Sequence, residues 1–334
     1  MATPADAQQE ANTCAKEWGK QWGSELAEVK ELQWPEDMGE PPPDLWVEAL
    51  LEAALTFPHD TGLGWDGIHP RCLHRVSKQL LRWLVLILKH AERTGCWQKA
   101  VDLVIIVLLP KPEGGFRPIG LLPMLPRLWM RTRKVVMTVW EKENHRPYLY
   151  AGKGMGAEVA VWKQAARAEL AALLPYKVEY AQVLLDLEKA FDRIPHWLLL
   201  REAIELGFPV WYLRLALATY KLTRVLRIGA CLSDEVVAYR GITAGSGSAC
   251  TEMKLCMIRL VDRAWKLCPM VTPTVFVDDL SAEMAAPKKW LMEGIGEFIR
   301  MIAWGFKEAG MDLSSTKSLC SASTKATAEE LCER

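Results

Sequence analysis

Two acidic sites carry residue types that could do metal-assisted chemistry. The first is Asp186, which ends the apolar run Val183–Leu185, and the second is the pair Asp278 and Asp279, which follows the stretch 274–277. A carboxylate at the mouth of a buried strand is costly unless it is neutralised, and a divalent cation is the usual solution. Two strand ends that bring carboxylates together would make a magnesium site suited to phosphoryl or nucleotidyl transfer.

The elements that must position these acids are short apolar strands. The run before Asp186 predicts the end of a buried strand. The alternating run Leu280–Ala285 behind the acid pair predicts a hairpin with Asp278 and Asp279 at its turn. Taken alone, these adjacent acids would be interpreted as a solvated turn.

Both sites lie in stretches with a family resemblance. Residues 186–196 read Asp-Leu-Glu-Lys-Ala-Phe-Asp-Arg-Ile-Pro-His and resemble motif A of reverse transcriptases, and Phe276–Asp279 resembles motif C. The likeness is closest to the non-LTR retrotransposon and group II intron branch. It implies catalysis by Asp186, Asp278 and Asp279, which would hold two Mg²⁺ ions, with Mn²⁺ as an alternative. The backbone carbonyl of Leu187 would complete one ion's shell.

Further stretches match the family in its order and imply the remaining contacts. Residues 61–70 resemble the segment before the fingers, 110–119 the fingers hairpin, 151–156 a glycine-rich segment, 240–248 motif B and 310–318 motif D. The implied nucleotide contacts are Lys111, Arg117, Phe191, Ala244, Gly245 and Lys317. Lys317 would donate a proton to pyrophosphate. Ala244 stands where the family commonly has Gln.

A basic strip runs through residues 111–134, although the formal net charge of the chain is zero. Basic residues there outnumber the single acid Glu113. Such a local surface suits phosphate contacts. The predicted nucleic-acid contacts are Arg127, Arg131 and, outside the strip, Lys153. For Arg131, Arg133 and Lys134, a solvated helix face is the alternative.

Phe191, five residues after Asp186, is a candidate for sugar choice. If motif A leaves its strand as a turn, the ring would fill the space that a ribose 2′-hydroxyl needs. No buried polar group would offer that hydroxyl a hydrogen bond. The alternative is that Phe191 is ordinary core.

Composition excludes several classes of protein. Half of the 334 residues are hydrophobic, as in ordinary globular proteins. The nine cysteines form no Cys-x-x-Cys pair, which argues for reduced thiols and against a disulfide framework or zinc knuckle. Neither a signal peptide nor a membrane span is recognisable, so the sequence indicates an intracellular protein without a membrane partner.

The predicted fold class is α+β, a polymerase fingers-palm core whose antiparallel palm sheet packs on helices, with no thumb before Arg334. Residues 1–44 would be a polar N-terminal arm with one weak helix near Glu17–Leu32. Residues 45–175 would form the fingers-like region, 176–325 the palm with motifs A to D, and 326–334 a tail. Helices are expected at 45–57, 77–93, 156–174, 196–206, 210–222, 248–266 and 289–309. Strands are expected at 101–109, 225–229 and 236–239.

The function that these motifs imply is RNA-templated DNA synthesis. The partners would be an RNA template, a DNA primer and dNTPs. A catalytically decayed reverse-transcriptase-like module that only binds RNA is the rival, which Ala244 and the missing thumb would suit and the intact acids oppose. An RNA-templated RNA polymerase shares the palm acids but fits the motif A wording less well.

Overall fold

Each of the two four-stranded sheets in the described residues organises its own part of the chain. The computed structural model describes residues 4–26, 29, 31–112, 114–152, 154–174 and 178–333. The chain divides into two units, Met1–Glu143 with Phe191–Thr251 and Asn144–Ala190 with Glu252–Arg334. The predicted division into arm, fingers, palm and tail stays a prediction.

The described helices and strands follow one another in mixed order. The α-helices are α1 (Pro4–Gln21), α2 (Val47–Leu55), α3 (Lys78–Thr94), α4 (Met124–Thr132), α5 (Lys134–Glu143), α6 (Ala157–Ala172), α7 (Ala190–Arg193), α8 (His196–Glu205), α9 (Val210–Tyr220), α10 (Ala249–Leu267), α11 (Lys288–Glu308) and α12 (Lys325–Cys332). The strands are β1 (Leu103–Pro110), β2 (Phe116–Leu121), β3 (Glu179–Leu185), β4 (Thr223–Ile228), β5 (Cys231–Leu232), β6 (Thr272–Phe276), β7 (Asp279–Ala286) and β8 (Leu319–Ala322). None of these helices is long and apolar enough to cross a bilayer.

The sheet of the first unit has the order β2-β1-β4-β5. Strand β1 pairs antiparallel with β2 and parallel with β4, and β4 pairs antiparallel with β5. Alternate residues of β1 are buried, which is the period-2 pattern of a half-buried strand. The glycine-containing hairpin tip predicted between β1 and β2 is confirmed, since the Lys111 amide donates to the Gly115 carbonyl at 3.0 Å.

The sheet of the second unit is antiparallel throughout and has the order β6-β7-β3-β8. Ala181, Val183 and Leu185 of β3 are buried on one face. Helices α6 and α11 pack on β3 and β7. The predicted hairpin with Asp278 and Asp279 at its turn is confirmed, and so is an α+β chain with an antiparallel sheet.

The prediction for the N-terminal helix is wrong. The observed helix spans Pro4–Gln21 instead of lying near Glu17–Leu32, a range of which residues 27, 28 and 30 lie outside the described residues. Its buried hydrophobic residues are Ala11, Ala15 and Trp18, a helical stripe that continues into Trp22 just behind the helix. A polar composition concealed this stripe, because alanine and tryptophan carry it without any leucine or valine.

Arg133 does not belong to a basic surface, which corrects the predicted strip. Arg133 and Glu92 form a buried ion pair, with Nε at 2.6 Å from Oε1, and both side chains are almost fully enclosed. The Trp129 indole N–H also donates to Glu92, at 2.7 Å. Glu92 shares the buried face of α3 with Leu81 and Val85, whereas Leu80 is 46% exposed.

Two short elements differ from the prediction around β4. Val236–Tyr239 is no strand, because only Val236 bridges to Arg224. Cys231–Leu232 pairs with β4 instead. Strand β8 and helix α12 were not predicted, since their sequences lack a marked hydrophobic period.

His196 begins α8 and is buried, with its Nε2 at 2.9 Å from the Gly241 carbonyl oxygen. Burial lowers the pKa of His196 to about 4, Lys221 and Arg224 add to this effect, and the bond to Gly241 opposes it. The folded protein thus holds His196 neutral as a hydrogen-bond donor to the chain at Gly241.

We expect His196 to make stability depend on pH. An unfolded histidine titrates near pH 6.5, so between about pH 6.5 and 4 the unfolded state binds more protons than the folded one. The contribution of His196 to the free energy of unfolding should be complete above about pH 6.5. It should fall by up to about 3 kcal/mol as the pH drops to 4. Denaturant titrations of His196→Gln should lack this loss. The exposed-site control His59→Gln should retain it, and an equal pH dependence in both variants would contradict the assignment.

Candidate active site

The ends of β3 and β7 bring Asp186 and Asp279 together. Leu185 pairs with Leu280 at the end of the antiparallel ladder. One further step in this register sets Asp186 opposite Asp279, and directly opposed residues on antiparallel strands share a face. Asp186 is half-buried, with 25% of its side chain exposed, and Asp279 is exposed.

The turn between β6 and β7 is strained. Phe276 pairs with Asp279, so Val277 and Asp278 form a two-residue turn. Val277 has φ of +61°, a left-handed conformation that is a genuine outlier for a β-branched residue. Glycine is the usual residue at the first central position of a two-residue hairpin turn when φ is positive at that position. The fold therefore holds the acid pair in a conformation that its own sequence disfavours.

The segment 312–318 fixes Asp186 from the side opposite β7. The Ser314 amide donates to the Asp186 carbonyl at 2.8 Å, and the Glu188 amide donates to the Asp312 carbonyl at 2.8 Å. These two bonds flank the bridge between Leu187 and Leu313 and do not use the Leu187 carbonyl. Leu187 itself is buried, which holds the backbone next to Asp186 in place.

Lys317 supplies a cation to this cluster, with Nζ at 3.7 Å from Asp186 Oδ2. Partial burial, and then the charge of Asp186, raise the pKa of Asp279 above its usual value, and Lys317 partly offsets this rise. The two carboxylates therefore repel each other across the strand ends. A positive charge placed between them would lower the free energy of the ionised pair.

The residues present fit a divalent cation, although the predicted cluster of three is not preformed. No three acidic, histidine or cysteine side chains in the described parts of the chain are arranged to hold a metal ion. Asp186 and Asp279 nevertheless offer carboxylate oxygens, the donors that Mg²⁺ prefers, and a cation would relieve the repulsion between them. Asp278 lies half-buried in the adjoining turn, and its part in a metal site stays a prediction.

In the first unit, the glycine loop 241–247 lies against strand β2. The Gly120 amide donates to the Ala244 carbonyl at 2.6 Å. Gly245 has φ of +104°, and a Cβ there would lie 2.5 Å from the Gly120 carbonyl oxygen. Only glycine allows this approach. Ala244 and Gly245 are therefore held by backbone contacts, and Gly245 is exposed.

The predicted triphosphate contacts Lys111 and Arg117 lie at the β1–β2 hairpin. Lys111 is half-buried and Arg117 is exposed, opposite Leu109 in the ladder. Gly114 and Gly115, at the tip between them, both have positive φ. The hairpin thus presents Arg117 on a paired strand next to its tip.

The remaining basic candidates have contacts within the protein or fall outside the described residues. Arg127 donates to the Gly62 carbonyl at 2.6 Å, and burial lowers its pKa. Its guanidinium and that of Arg131 lie over the ring of Phe57, at 5.3 and 4.7 Å from its centroid. Lys153 lies outside the described residues. A phosphate contact by any of these three stays a prediction.

Phe191 is half-buried in α7 and so is not enclosed core. Its carbonyl accepts a hydrogen bond from the Ile242 amide at 2.7 Å. Helix α7 is a single helical turn that closely follows the strand end at Asp186, and we call it the Phe191 turn. This bond ties the Phe191 turn to the start of the glycine loop.

Sequence reasoning missed the role of Asp66. Its Oδ2 accepts a hydrogen bond from the Met124 amide, the first residue of α4, at 2.6 Å. Gly64 lets the loop approach, because a Cβ there would lie 2.6 Å from the Leu122 carbonyl oxygen. Asp66 thus caps the helix that carries Arg127 and Arg131. The Gly-x-Asp-Gly pattern indicates a turn, but it does not indicate that Asp66 will accept a hydrogen bond from the distant Met124 amide.

Comparison with known proteins adds one match. The model of a family described as reverse transcriptase (RNA-dependent DNA polymerase) matches residues 109–327. The match begins near the end of β1 and covers β2, the glycine loop and the acidic strand ends. No curated protein matches the chain.

The strain at Val277 makes a testable prediction. Val277→Gly should relieve a left-handed conformation that costs about 1–2 kcal/mol, and the flexibility of glycine should return part of this gain. We expect a small net rise in the free energy of unfolding, measured by urea denaturation. Val237→Gly, at an exposed valine with ordinary φ, should lower it. Equal losses in the two variants would show that Val277 stores no strain.

Proposed function

Because the chain belongs to the reverse transcriptase (RNA-dependent DNA polymerase) family, we propose that it extends a DNA primer along an RNA template. The proposed enzyme is of the retroelement type, closest to the non-LTR and group II intron branch. Its substrates are dNTPs, and its reaction transfers a nucleotidyl group to the primer 3′-hydroxyl. The motifs quoted from the sequence support the branch, and the family match supports the general activity.

The observation that carries the proposal is the pairing of Asp186 and Asp279 at neighbouring strand ends beside Lys317. A polymerase needs carboxylates that meet on a rigid frame, and the β3–β7 ladder provides that frame. The raised pKa of Asp279 supports a site that awaits a cation. An RNA-binding module without catalysis has no use for such repulsion.

Asp186, Asp278, Asp279 and the Leu187 carbonyl are the proposed holders of two Mg²⁺ ions. Bound Mg²⁺ would supply charge neutralisation for the triphosphate and activation of the 3′-hydroxyl. The carboxylates contribute fixed negative charge on a rigid backbone, so positioning is their main work. Lys317, whose ammonium lies beside Asp186, is the proposed proton donor to the leaving pyrophosphate.

Contacts to the substrates are assigned by residue type. Lys111 and Arg117 are proposed to bind the triphosphate. The exposed guanidinium of Arg117 can hold two phosphate oxygens at once, and Lys111 offers a single positive charge. The backbone of Ala244 and Gly245 is proposed to face the nucleotide. Phe191 is proposed to exclude the ribose 2′-hydroxyl. Arg127, Arg131 and Lys153 are the proposed contacts to template or primer phosphates.

The direct test is primer extension on an RNA template with dNTPs and Mg²⁺. Asp186→Asn should lower the rate by at least about a hundredfold, because one charge that holds the cation is lost. Its free energy of unfolding should be unchanged or higher, since repulsion with Asp279 falls. Glu188→Gln, an exposed acid of the same segment, should extend normally. RNA binding by the unchanged protein without any extension would favour the decayed module instead.

A second test addresses sugar choice through Phe191. Phe191→Val should admit ribonucleotides into the product while dNTP use persists, because a smaller side chain leaves room for the 2′-hydroxyl. The measurement is the ratio of kcat/KM for dNTP and rNTP. A variant that loses stability but keeps the original ratio would show that Phe191 serves packing.

A further inference from the structure

Trp22, directly behind helix α1, contacts two segments that the proposed function places at the nucleotide. It is 1% exposed, and its indole Nε1–H donates to Asp192 Oδ1 at 2.8 Å. The guanidinium of Arg224 lies over its ring, 4.4 Å from the centroid. Arg224 is itself buried and donates to Thr243 Oγ1 at 3.1 Å. One side chain therefore reaches motif A through Asp192 and motif B through Arg224.

The backbone of Trp22 adds a second set of contacts. Its carbonyl accepts from the amides of Tyr239 and Arg240, at 2.9 and 3.2 Å. The Arg240 guanidinium donates to the Gln21 carbonyl at 2.7 Å. The chain that enters the glycine loop is thus fastened to the end of α1.

Motif A and the glycine loop are also joined to each other by backbone hydrogen bonds. The Gly241 amide donates to the Ile194 carbonyl at 2.7 Å, and the Ile242 amide donates to the Phe191 carbonyl at 2.7 Å. Gly241 has φ of +90°, and a Cβ there would lie 2.5 Å from the Asp192 carbonyl oxygen. The backbone of Gly241 therefore lies so close to Asp192 that a side chain at Gly241 would force the two segments apart.

We propose that Trp22 is a positioning residue for nucleotide selection. Its indole N–H fixes Asp192 and thereby holds the adjoining Phe191 turn against the loop 241–245. The proposal rests on the proposed function, which assigns Phe191 and the loop to the nucleotide. A bond from N–H to a carboxylate is stronger and more directional than one between neutral groups, and a loss of about 1 Å in placement is costly to a selective site.

The variant Trp22→Phe isolates the hydrogen bond. Phenylalanine keeps an aromatic face for Arg224 and fills most of the space, but it has no N–H. We expect KM for dNTP to rise about tenfold and the preference for dNTP over rNTP to fall, with kcat changed less than about twofold. A purely structural role would lower kcat through loss of folded enzyme and leave KM and sugar preference unchanged.

Two further variants serve as controls. Trp140→Phe removes the same kind of bond, from an indole N–H to the Leu206 carbonyl at 2.9 Å. It should cost similar stability without altering KM or sugar preference. In an Asp192→Ala background, Trp22→Phe should have no additional effect on KM, because the acceptor is already gone. An additive effect, or equal kinetics for Trp22→Phe and Trp140→Phe, would overturn the proposal.

Amide hydrogen exchange separates this proposal from the proposed function. Trp22→Phe should lower protection of the Gly241 and Ile242 amides, whereas Trp140→Phe should not. If the unchanged protein extends no primer, the proposed function fails and the selection role fails with it. Lowered protection would then still support the positioning role, and unchanged protection would overturn that role as well.

Discussion

Antiparallel pairing of β3 with β7 is the constraint on which the candidate site depends. The ladder fixes Leu185 opposite Leu280, and this register alone decides that Asp186 meets Asp279. A slip of one residue would turn the acids to opposite faces, because side chains alternate along a strand. Burial of Ala181 and Val183 prevents that slip, since it would expose the apolar face of the sheet.

The site accepts unfavourable local energies that the surrounding backbone bonds offset. Val277 adopts a left-handed conformation, and Asp279 lies near a second carboxylate. Hydrogen bonds from Ser314 and to Asp312 hold the strand end on its other side. Strain and like-charge repulsion persist where neighbouring structure over-determines the geometry.

In the first unit, close contact between backbone segments holds the glycine loop in place. Gly120 and Gly245 allow strand β2 and the glycine loop to approach within hydrogen-bond distance. Trp22 and Arg224 then support the loop from a buried position. The end of the N-terminal helix is consequently a supporting element of the loop.

The sequence by itself determined the order of the motifs, the hairpin with Asp278 and Asp279 at its turn, and most helices of ordinary length. These features are local, because strand alternation, helical periodicity and turn glycines act over a few residues. It did not determine α1, since Trp22 becomes buried only through partners far along the chain.

Tertiary structure alone decided which charges are buried and which face the solvent. Arg133 looked like a member of a basic surface, yet it pairs with Glu92 inside the first unit. A charged side chain is buried only where a partner neutralises it. For Arg133 that partner lies on another helix, so the sequence around Arg133 does not indicate its burial. The approach of Lys317 to Asp186 likewise depends on the pairing of distant segments. Spacing in the sequence cannot encode such contacts, because they arise from packing between elements.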